Sequence, residues 1–297
     1  MLAPPKPALS TPDPAMPSIG RLRHADPRWF QLAVLGSLVA YGLAVLRFDL
    51  PLTQVVVTIG TALATQATCS RIARLPRLEL KSALISSLSL CLLLRTSWLP
   101  LAALASAIAI ASKFVIRCHD KHVFNPTNLA LAALLATSDR VWISAGQWGS
   151  AAVFAAALAL AGLVVVQRSA RSDVTIAFLA FYLTLVFGRS LYLGEPMAIP
   201  LHRLQSGALV LFAFFMISDP RTTPDARWAR VLFAALVAYG AWYVQFRMFR
   251  TNGLVWSLVA VSTLTPLLDR LVAGPRFEWD RPRDVAPPAP RAALVPA

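Results

Sequence analysis

The sequence predicts an all-α, polytopic membrane protein with about ten transmembrane helices in two inverted five-helix repeats that contain broken helices. Three observations predict this fold: an apolar composition, an alternation of basic and less basic loops, and two apolar segments that stop at a proline. Hydrophobic residues make up 57% of the chain and charged residues 14%, and the mean hydropathy is +0.61. Soluble domains carry roughly 25% charged residues, and a soluble chain of 297 residues has no room to bury so many apolar helices on all sides.

Ten apolar segments divide the chain, and a straight crossing of the bilayer needs about 20 residues. The third and fifth segments are shorter than this, so we expect tilted, broken or half-spanning helices there. The predicted spans are Trp29–Leu46, Leu52–Cys69, Ser82–Leu94, Trp98–Ile116, Asn125–Thr137, Trp148–Gln167, Val174–Ser190, Leu204–Ser218, Ala229–Phe246 and Gly253–Leu271.

Basic residues are distributed unevenly between the two sides of this arrangement. With ten spans, about three quarters of the 28 Lys and Arg residues fall on the side that holds both termini. Because basic loops stay in the cytoplasm, both termini are predicted to be cytoplasmic, with the lipid bilayer around the spans. The net charge of +14 does not predict a nucleic-acid partner, since the basic residues lie at the ends of apolar segments rather than along one face.

The two ends of the chain are rich in proline and charge. Residues 1–27 and 274–297 are therefore predicted to be disordered cytoplasmic segments. Residues 28–273 form the predicted transmembrane domain, with repeats at about 28–137 and 148–273. Since each repeat has an odd number of spans, the two repeats have opposite topology, as in membrane proteins built from inverted repeats.

The first broken segment contains the string FNPTN. Asn125 is suited to cap the helix that follows, and Pro126 to occupy its first turn, where a missing N–H costs nothing. That structural explanation stands beside a functional one. Thr127 and Asn128 lie at a helix N-terminus, where free N–H groups suit an anionic or carbonyl-rich ligand.

The second broken segment reads SGALVLFAFFMISDPRTTP and ends at Pro224. A helix is expected to stop at Asp219, because Pro220 cannot continue it. Ser206 and Gly207 allow close backbone approach. A carboxylate in a membrane helix is costly unless it is paired or solvated, although an ordinary charge at a cytoplasmic helix end explains Asp219 as well.

We predict that the two breaks form the walls of one buried site. Aromatic side chains of the second break offer a flat apolar surface, although aromatic residues in membrane helices more often serve packing or lipid contact. The candidate binding residues are Lys113, Asn125, Pro126, Thr127, Asn128, Ser206, Gly207, Phe215, Asp219, Pro220 and Thr222.

Several charged residues near the segment ends have simpler explanations. Lys113, Arg95 and Arg189 are expected to extend toward the membrane interface. His119 and His122 are three residues apart and are expected to share a helix face. A metal site would need further ligands, and the sequence offers none at suitable spacing.

Three segments carry a resemblance to a known family. They read HVFNPTNLAL (His122–Leu131), HRLQSGALVLFAFFMISDPRTTP (His202–Pro224) and NGLVWSLVAVSTLTPLLDRL (Asn252–Leu271). Over roughly residues 82–276 the chain resembles the RnfD/NqrB-type membrane subunits of Rnf and sodium-pumping NADH:quinone oxidoreductase complexes. The variants FNPTN and SDPRTTP look closer to stand-alone members, including those associated with enediyne biosynthesis clusters.

The resemblance implies ten helices in two inverted repeats, a bacterial inner-membrane location, a flavin in the membrane domain, redox partner proteins and electron transfer coupled to ion movement. Lys113 is then a candidate cation beside the flavin N1 and C2 carbonyl, where it would stabilise the reduced form. The residues that match the family's motifs are Asn125, Pro126 and Asn128 in the first element and Ser206, Gly207, Asp219, Pro220 and Thr222 in the second.

The chain departs from the family in one respect that concerns the cofactor. Members of true complexes attach FMN to a threonine of an SGAT-like motif in the loop between the fifth and sixth helices. The corresponding loop here, Ser138–Gln147, contains no threonine, and the string SGAL at 206–209 ends in a leucine that has no hydroxyl group. We therefore expect a flavin, riboflavin or FMN, that is bound without a covalent link.

Three functions follow as hypotheses. The first is a redox subunit of a membrane oxidoreductase, which holds a flavin between the two breaks and passes electrons within or across the membrane. The second is a transporter or channel for a small molecule or ion, which uses the same repeats without redox chemistry. The third is a membrane scaffold subunit of a biosynthetic complex.

Overall fold

The computed structural model describes residues 26–119, 121–144, 172–204, 206–275 and 277, and most of these residues are helical. The predicted sixth span, Trp148–Gln167, lies outside the described residues. So does most of the two terminal segments that the sequence predicts to be disordered.

Eleven α-helices and one π-helical turn make up the described part of the chain. They are α1 (Pro27–Ala44), α2 (Leu52–Ile72), α3 (Leu80–Leu93), α4 (Leu99–Val115), α5 (Pro126–Thr137), α6 (Ser172–Leu193), α7 (Ala198–Leu204), α8 (Gly207–Leu211), the π-helical turn (Phe212–Met216), α9 (Arg227–Phe246), α10 (Gly253–Ser262) and α11 (Thr265–Leu271). Two short antiparallel ribbons connect helices: β1 (Leu94–Thr96) pairs with β4 (Val141–Ile143), and β2 (Arg117–Cys118) pairs with β3 (Lys121–His122).

Each predicted span in the described residues coincides with a helix or a helix pair. Judged by length and composition, α2, α6 and α9 are long and apolar enough to cross a membrane. The number rises to five if α7 with α8 and α10 with α11 each form one bent span. A mostly helical fold with apolar helices of membrane-spanning length is thereby confirmed, whereas the ten-helix repeat arrangement stays a prediction.

The short spans are short in the structure as well. The third and fifth segments form helices of 14 and 12 residues, as expected. The predicted continuous spans at 204–218 and 253–271 are wrong in detail, because each is broken within its length. Helix α8 begins only at Gly207, and α10 and α11 meet at an angle of 45°. Pro266, in the first turn of α11, has no N–H to continue the hydrogen bonds of α10.

Helix packing brings the central segments together. Helix α2 packs against α3 and α4, and α9 packs against α6 and α10. Helix α5 contacts both α4 and α10 and so connects the two groups. The core contains large buried aromatic rings, with the ring centroids of Phe178 and Phe212 5.1 Å apart. This packing places the π-helical turn and the start of α5 in the interior.

Loops that the sequence assigns to one side of the membrane contact one another. Lys81 Nζ lies 2.9 Å from the Asp26 carboxylate, which joins the loop before α3 to the start of α1. Lys121 Nζ lies 3.0 Å from Asp225 and 2.7 Å from Asp269, which joins the β2–β3 ribbon to the turn before α9 and to α11. These contacts agree with the predicted alternation of loops, and the identity of the cytoplasmic face stays a prediction.

Candidate functional site

The second break is organised by Asp219. Its backbone carbonyl accepts hydrogen bonds from the N–H groups of Thr222 and Thr223 at 3.1 and 3.2 Å, and its carboxylate accepts one from the N–H of Arg221 at 3.0 Å. Pro220 has no N–H to offer. The helix therefore ends where the sequence predicts, but its last turn is π-helical rather than α-helical. Such turns are frequent at functional sites.

The first break forms the predicted cap. Asn125 Oδ1 accepts a hydrogen bond from the N–H of Asn128 at 3.0 Å, and Pro126 begins α5. The amide of Asn125 then contacts the second break: Nδ2 donates to the carbonyl of Met216 at 3.3 Å and lies 3.4 Å from Asp219 Oδ2. Two segments that are 94 residues apart in the sequence thus meet through one side chain.

A small polar cavity of about 80 Å³ lies at this meeting point, and we call it the inner cleft. Lys113 borders it with a buried side chain, whose Nζ donates to the backbone carbonyl and the hydroxyl of Ser82 at 3.0 and 3.1 Å. Arg95 is 5% exposed and Lys113 7%. The expectation that these two side chains reach the interface is therefore wrong, because the surrounding helices cover both. Residues of the predicted site that line the inner cleft are Lys113, Asn125, Pro126, Thr127, Phe215, Asp219 and Pro220.

Two further predicted residues lie directly behind the inner cleft. Thr222 is buried, and its hydroxyl donates to the carbonyl of Asp219 at 3.3 Å. Asn128 is 1% exposed, and its amide donates to the carbonyl of Val255 in α10 at 3.1 Å, while its Oδ1 has no partner among the described residues. Asn128 thus links the first break to the last pair of helices.

Ser206 and Gly207 lie elsewhere, at the opposite end of α8. Twelve residues separate Gly207 from Asp219, and a helical rise of 1.5 Å per residue converts this to roughly 18 Å. Ser206 borders a different and larger cavity of about 840 Å³, which we call the outer cavity. The structure therefore divides the predicted residues between two places rather than uniting them in one site.

The outer cavity has an apolar interior and a basic end. Leu209 and Phe212 contribute apolar surface, and Tyr182 of α6 donates its hydroxyl hydrogen bond to Gln245 Oε1 at 3.0 Å. Cations lie on its border, where the Arg203 guanidinium stands 4.8 Å from the ring centroid of Phe246. The basic residues that line the cavity are His202, Arg203 and Arg250.

The two histidines before the first break do not share a helix face, which corrects the expectation. They lie in the β2–β3 ribbon, where His119 occupies the turn with φ 48° and His122 ends β3. Burial, together with the charges of nearby Arg221, Lys113 and Arg117, lowers the pKa of His122 to about 3. Within the described ranges no group of three or more His, Cys, Asp or Glu side chains could hold a metal ion.

The sequence analysis overlooked a buried polar stripe on α2. Gln54, Thr58, Gln66 and Ser70 recur at intervals of four or eight residues, and each is at most 4% exposed. Gln54 Nε2 donates to the carbonyl of Leu94 at 3.1 Å, while Thr58 Oγ1 and Gln66 Oε1 have no partner among the described residues. Polar residues at helical spacing within an apolar segment were the signal that could have revealed the stripe.

Comparison with known proteins places the second half of the chain in context. Residues 138–278 match the NQR2, RnfD, RnfE family. The matched range contains the SGAL–SDPRTTP element and the last element, and the FNPTN element lies before it. The resemblance to this family is thereby confirmed over residues 138–278.

Individual relatives give the same result at low identity, and each is the D component of an ion-translocating oxidoreductase complex. The protein from Escherichia coli O9:H4 (strain HS) is 27% identical over 103 residues, which is 35% of this chain and 29% of the relative. That of Citrobacter koseri is 28% identical over 106 residues, with the same coverage of 35% and 29%. That of Pectobacterium carotovorum subsp. carotovorum (strain PC1) is 31% identical over 93 residues, 30% of this chain and 26% of the relative. The chain thus covers less than a third of the length of these relatives.

Proposed function

We propose, starting from this family relationship, that the chain is an integral membrane electron-transport protein that binds riboflavin or FMN without a covalent link. Electrons would pass within or across the bacterial inner membrane, to or from partner redox proteins and with ion coupling. The proposal includes ten helices in two inverted repeats and both termini in the cytoplasm. Three findings support it: the family match, the broken helices in the interior, and the outer cavity.

The sizes of the two cavities decide where a flavin fits. Pockets that bury a ligand of this size measure roughly 300–1,000 Å³. The inner cleft, at about 80 Å³, holds a few water molecules rather than a three-ring system. The outer cavity, at about 840 Å³, has the required volume. Its size and its combination of aromatic and cationic lining are the observation that carries the proposal.

Named residues of the outer cavity suit the parts of a flavin. Phe212 and Tyr182 offer apolar ring surface, and the Ser206 hydroxyl is a hydrogen-bonding group on the cavity wall. Arg203 and Arg250 provide positive charge, which favours a phosphate group and the anionic reduced ring. A bound flavin supplies the capacity to accept and release single electrons.

The inner cleft supports a second candidate function, transport of an ion or small molecule without redox chemistry. Broken helices that meet in the interior form the substrate sites of many transporters. The cleft is polar, with Asn125 and Asp219 on one side and Ser86 of α3 on the other. Flux into protein-containing liposomes in the absence of any reductant would favour this function over the first.

An absorbance spectrum of the detergent-purified protein, followed by acid precipitation, tests the proposal. A yellow supernatant is the expected result and indicates a flavin without a covalent bond. Colour that stays in the pellet would show a covalent link and contradict the reasoning from the missing threonine. A colourless protein after flavin supplementation would contradict the redox function.

Two variants separate the cavities. Ala208→Phe places a ring in the outer cavity and should reduce flavin occupancy at least tenfold, whereas Ala64→Phe, at an exposed position of α2, should leave occupancy unchanged. Both proteins should elute as wild type in size-exclusion chromatography. Retained flavin in Ala208→Phe together with loss in Asp219→Ala would place the flavin at the inner cleft instead.

A further inference from the structure

A third cavity lies on the face that the sequence predicts to be cytoplasmic, and we call it the basic cleft. Its volume is about 560 Å³. Three segments form its walls: the β2–β3 ribbon, the turn that follows Asp219, and α11 with the residues after it. None of these walls borders the outer cavity, so the proposed flavin does not account for the basic cleft.

Ion pairs hold the three walls together. Lys121 Nζ contacts Asp225 Oδ1 at 3.0 Å and Asp269 Oδ2 at 2.7 Å. The backbone N–H of Asp225 donates to Asp269 Oδ1 at 2.7 Å, and the Thr265 hydroxyl donates to the carbonyl of Thr222 at 3.3 Å. The cleft is therefore a built feature of the fold, with walls from three distant parts of the sequence.

The lining of the basic cleft carries an excess of positive charge. Four cationic side chains and two carboxylates border it, and Lys121 is the cation that the carboxylates neutralise. Arg221 and Arg270 are exposed, and in the described part of the chain neither guanidinium has a hydrogen bond or an ion pair. Guanidinium groups bind phosphate oxygens through paired, charge-assisted hydrogen bonds. A phosphate group is thus the ligand chemistry that fits.

Apolar surface beside the cleft indicates the source of the phosphate. Leu271, next to Arg270, is 71% exposed, and Val115, two residues before Arg117, is 79% exposed. Exposed aliphatic side chains at helix ends are covered by the acyl region of a bilayer, and basic pockets between membrane helices bind anionic headgroups. A free phosphate compound would make no use of this apolar border.

We propose that the basic cleft binds the phosphate headgroup of an anionic phospholipid in the cytoplasmic leaflet, through Arg221 and Arg270. The lipid then holds the β2–β3 ribbon, the turn after Asp219 and α11 at one place on the membrane surface. The inference depends on the fold and on the predicted sidedness, and it is independent of the flavin.

Thermal unfolding of the full chain in detergent tests the proposal. Micelles are doped with phosphatidylglycerol or, in a parallel series, with phosphatidylcholine of the same acyl chains, and a third series contains inorganic pyrophosphate at constant ionic strength. A ligand that binds the folded state raises the unfolding temperature with its concentration. We expect phosphatidylglycerol to raise it, and phosphatidylcholine and pyrophosphate to have no comparable effect.

The double variant Arg221→Gln/Arg270→Gln provides the site-specific readout. Loss of hydrogen bonds to a charged group costs roughly tenfold in affinity for each arginine, so the apparent dissociation constant for phosphatidylglycerol should rise at least tenfold. Arg71→Gln/Arg77→Gln removes equal charge from exposed positions on the same predicted face and should leave it unchanged.

Three results would overturn the proposal. Equal responses to the two lipids would show that no anionic headgroup is recognised. Equal losses in the two double variants would show a diffuse effect of basic loops. A response to pyrophosphate as strong as that to phosphatidylglycerol would identify a soluble phosphate compound as the ligand.

Discussion

Replacing Asn125 separates the two contributions of its side chain. One is the cap on α5, made by Oδ1, and the other is the contact of Nδ2 with Met216 and Asp219 in the second break. Serine keeps a capping oxygen but is too short to reach the second break, and alanine removes both contacts. Comparing the two variants therefore assigns a free energy to each contribution.

The magnitudes follow from the contacts. Loss of a helix cap costs about 1 kcal/mol. Loss of a donor to buried acceptors costs about 1–3 kcal/mol, and the lengths of 3.3 and 3.4 Å place this contact at the lower end. We expect a destabilisation of about 2–3 kcal/mol for Asn125→Ala and of about 1–2 kcal/mol for Asn125→Ser. Asn125→Asp keeps the cap but faces Asp219 with a second carboxylate, so it should destabilise more than serine does.

The assay is reversible unfolding in mixed micelles with increasing denaturing detergent at pH 7, with helix content as the signal. Thr137→Ala, at an exposed position near the other end of α5, is the control and should change the free energy of unfolding by less than about 0.5 kcal/mol. The reasoning fails if all three Asn125 variants match the control, or if the aspartate variant is as stable as wild type.

Three further predictions use other parts of the structure. Gly253→Ala should destabilise by about 1–3 kcal/mol because its Cβ would lie 2.6 Å from the carbonyl oxygen of Ala241, whereas Gly60→Ala, with open space around its Cβ, should be neutral or stabilising in the same unfolding assay. Lys121→Gln should cost about 1–3 kcal/mol, since it leaves two partly buried carboxylates without their cation; a smaller effect than that of a surface lysine would refute this. For His122, burial and nearby positive charge depress the pKa to about 3, so the unfolded chain binds the extra proton first; stability should be constant above about pH 6.5 and fall as the pH drops toward 3, and His122→Asn should flatten this slope.

The sequence was sufficient to locate helices and their start signals. Apolar runs predicted every helical segment in the described residues, and the order Asn125-Pro126 predicted the cap on α5 as the structure has it. Both are local properties of a few neighbouring residues. The stop at Asp219 belongs to the same class, since Pro220 acts on the residue before it.

Features that depend on distant contacts were out of reach or misplaced. Lys113 sits near the end of an apolar segment, and only the packing of α3 beside α4 shows that its amine ends at Ser82. The ribbon that contains His119 has no alternating pattern and reads as a helix continuation, so its strand pairing was missed. The separation of Ser206 from Asp219, by contrast, follows from helical rise alone and was available from the sequence.

The polar stripe of α2 has a consequence for biogenesis. Gln54, Thr58 and Gln66 are covered in the finished structure by α3 and α4, yet α2 is synthesised before either of them. In lipid, uncovered amide and hydroxyl groups on one face of a helix favour association with another helix. We therefore expect α2 to stay beside the insertion machinery until α4 has emerged, so that the order of synthesis and the order of release into the bilayer differ.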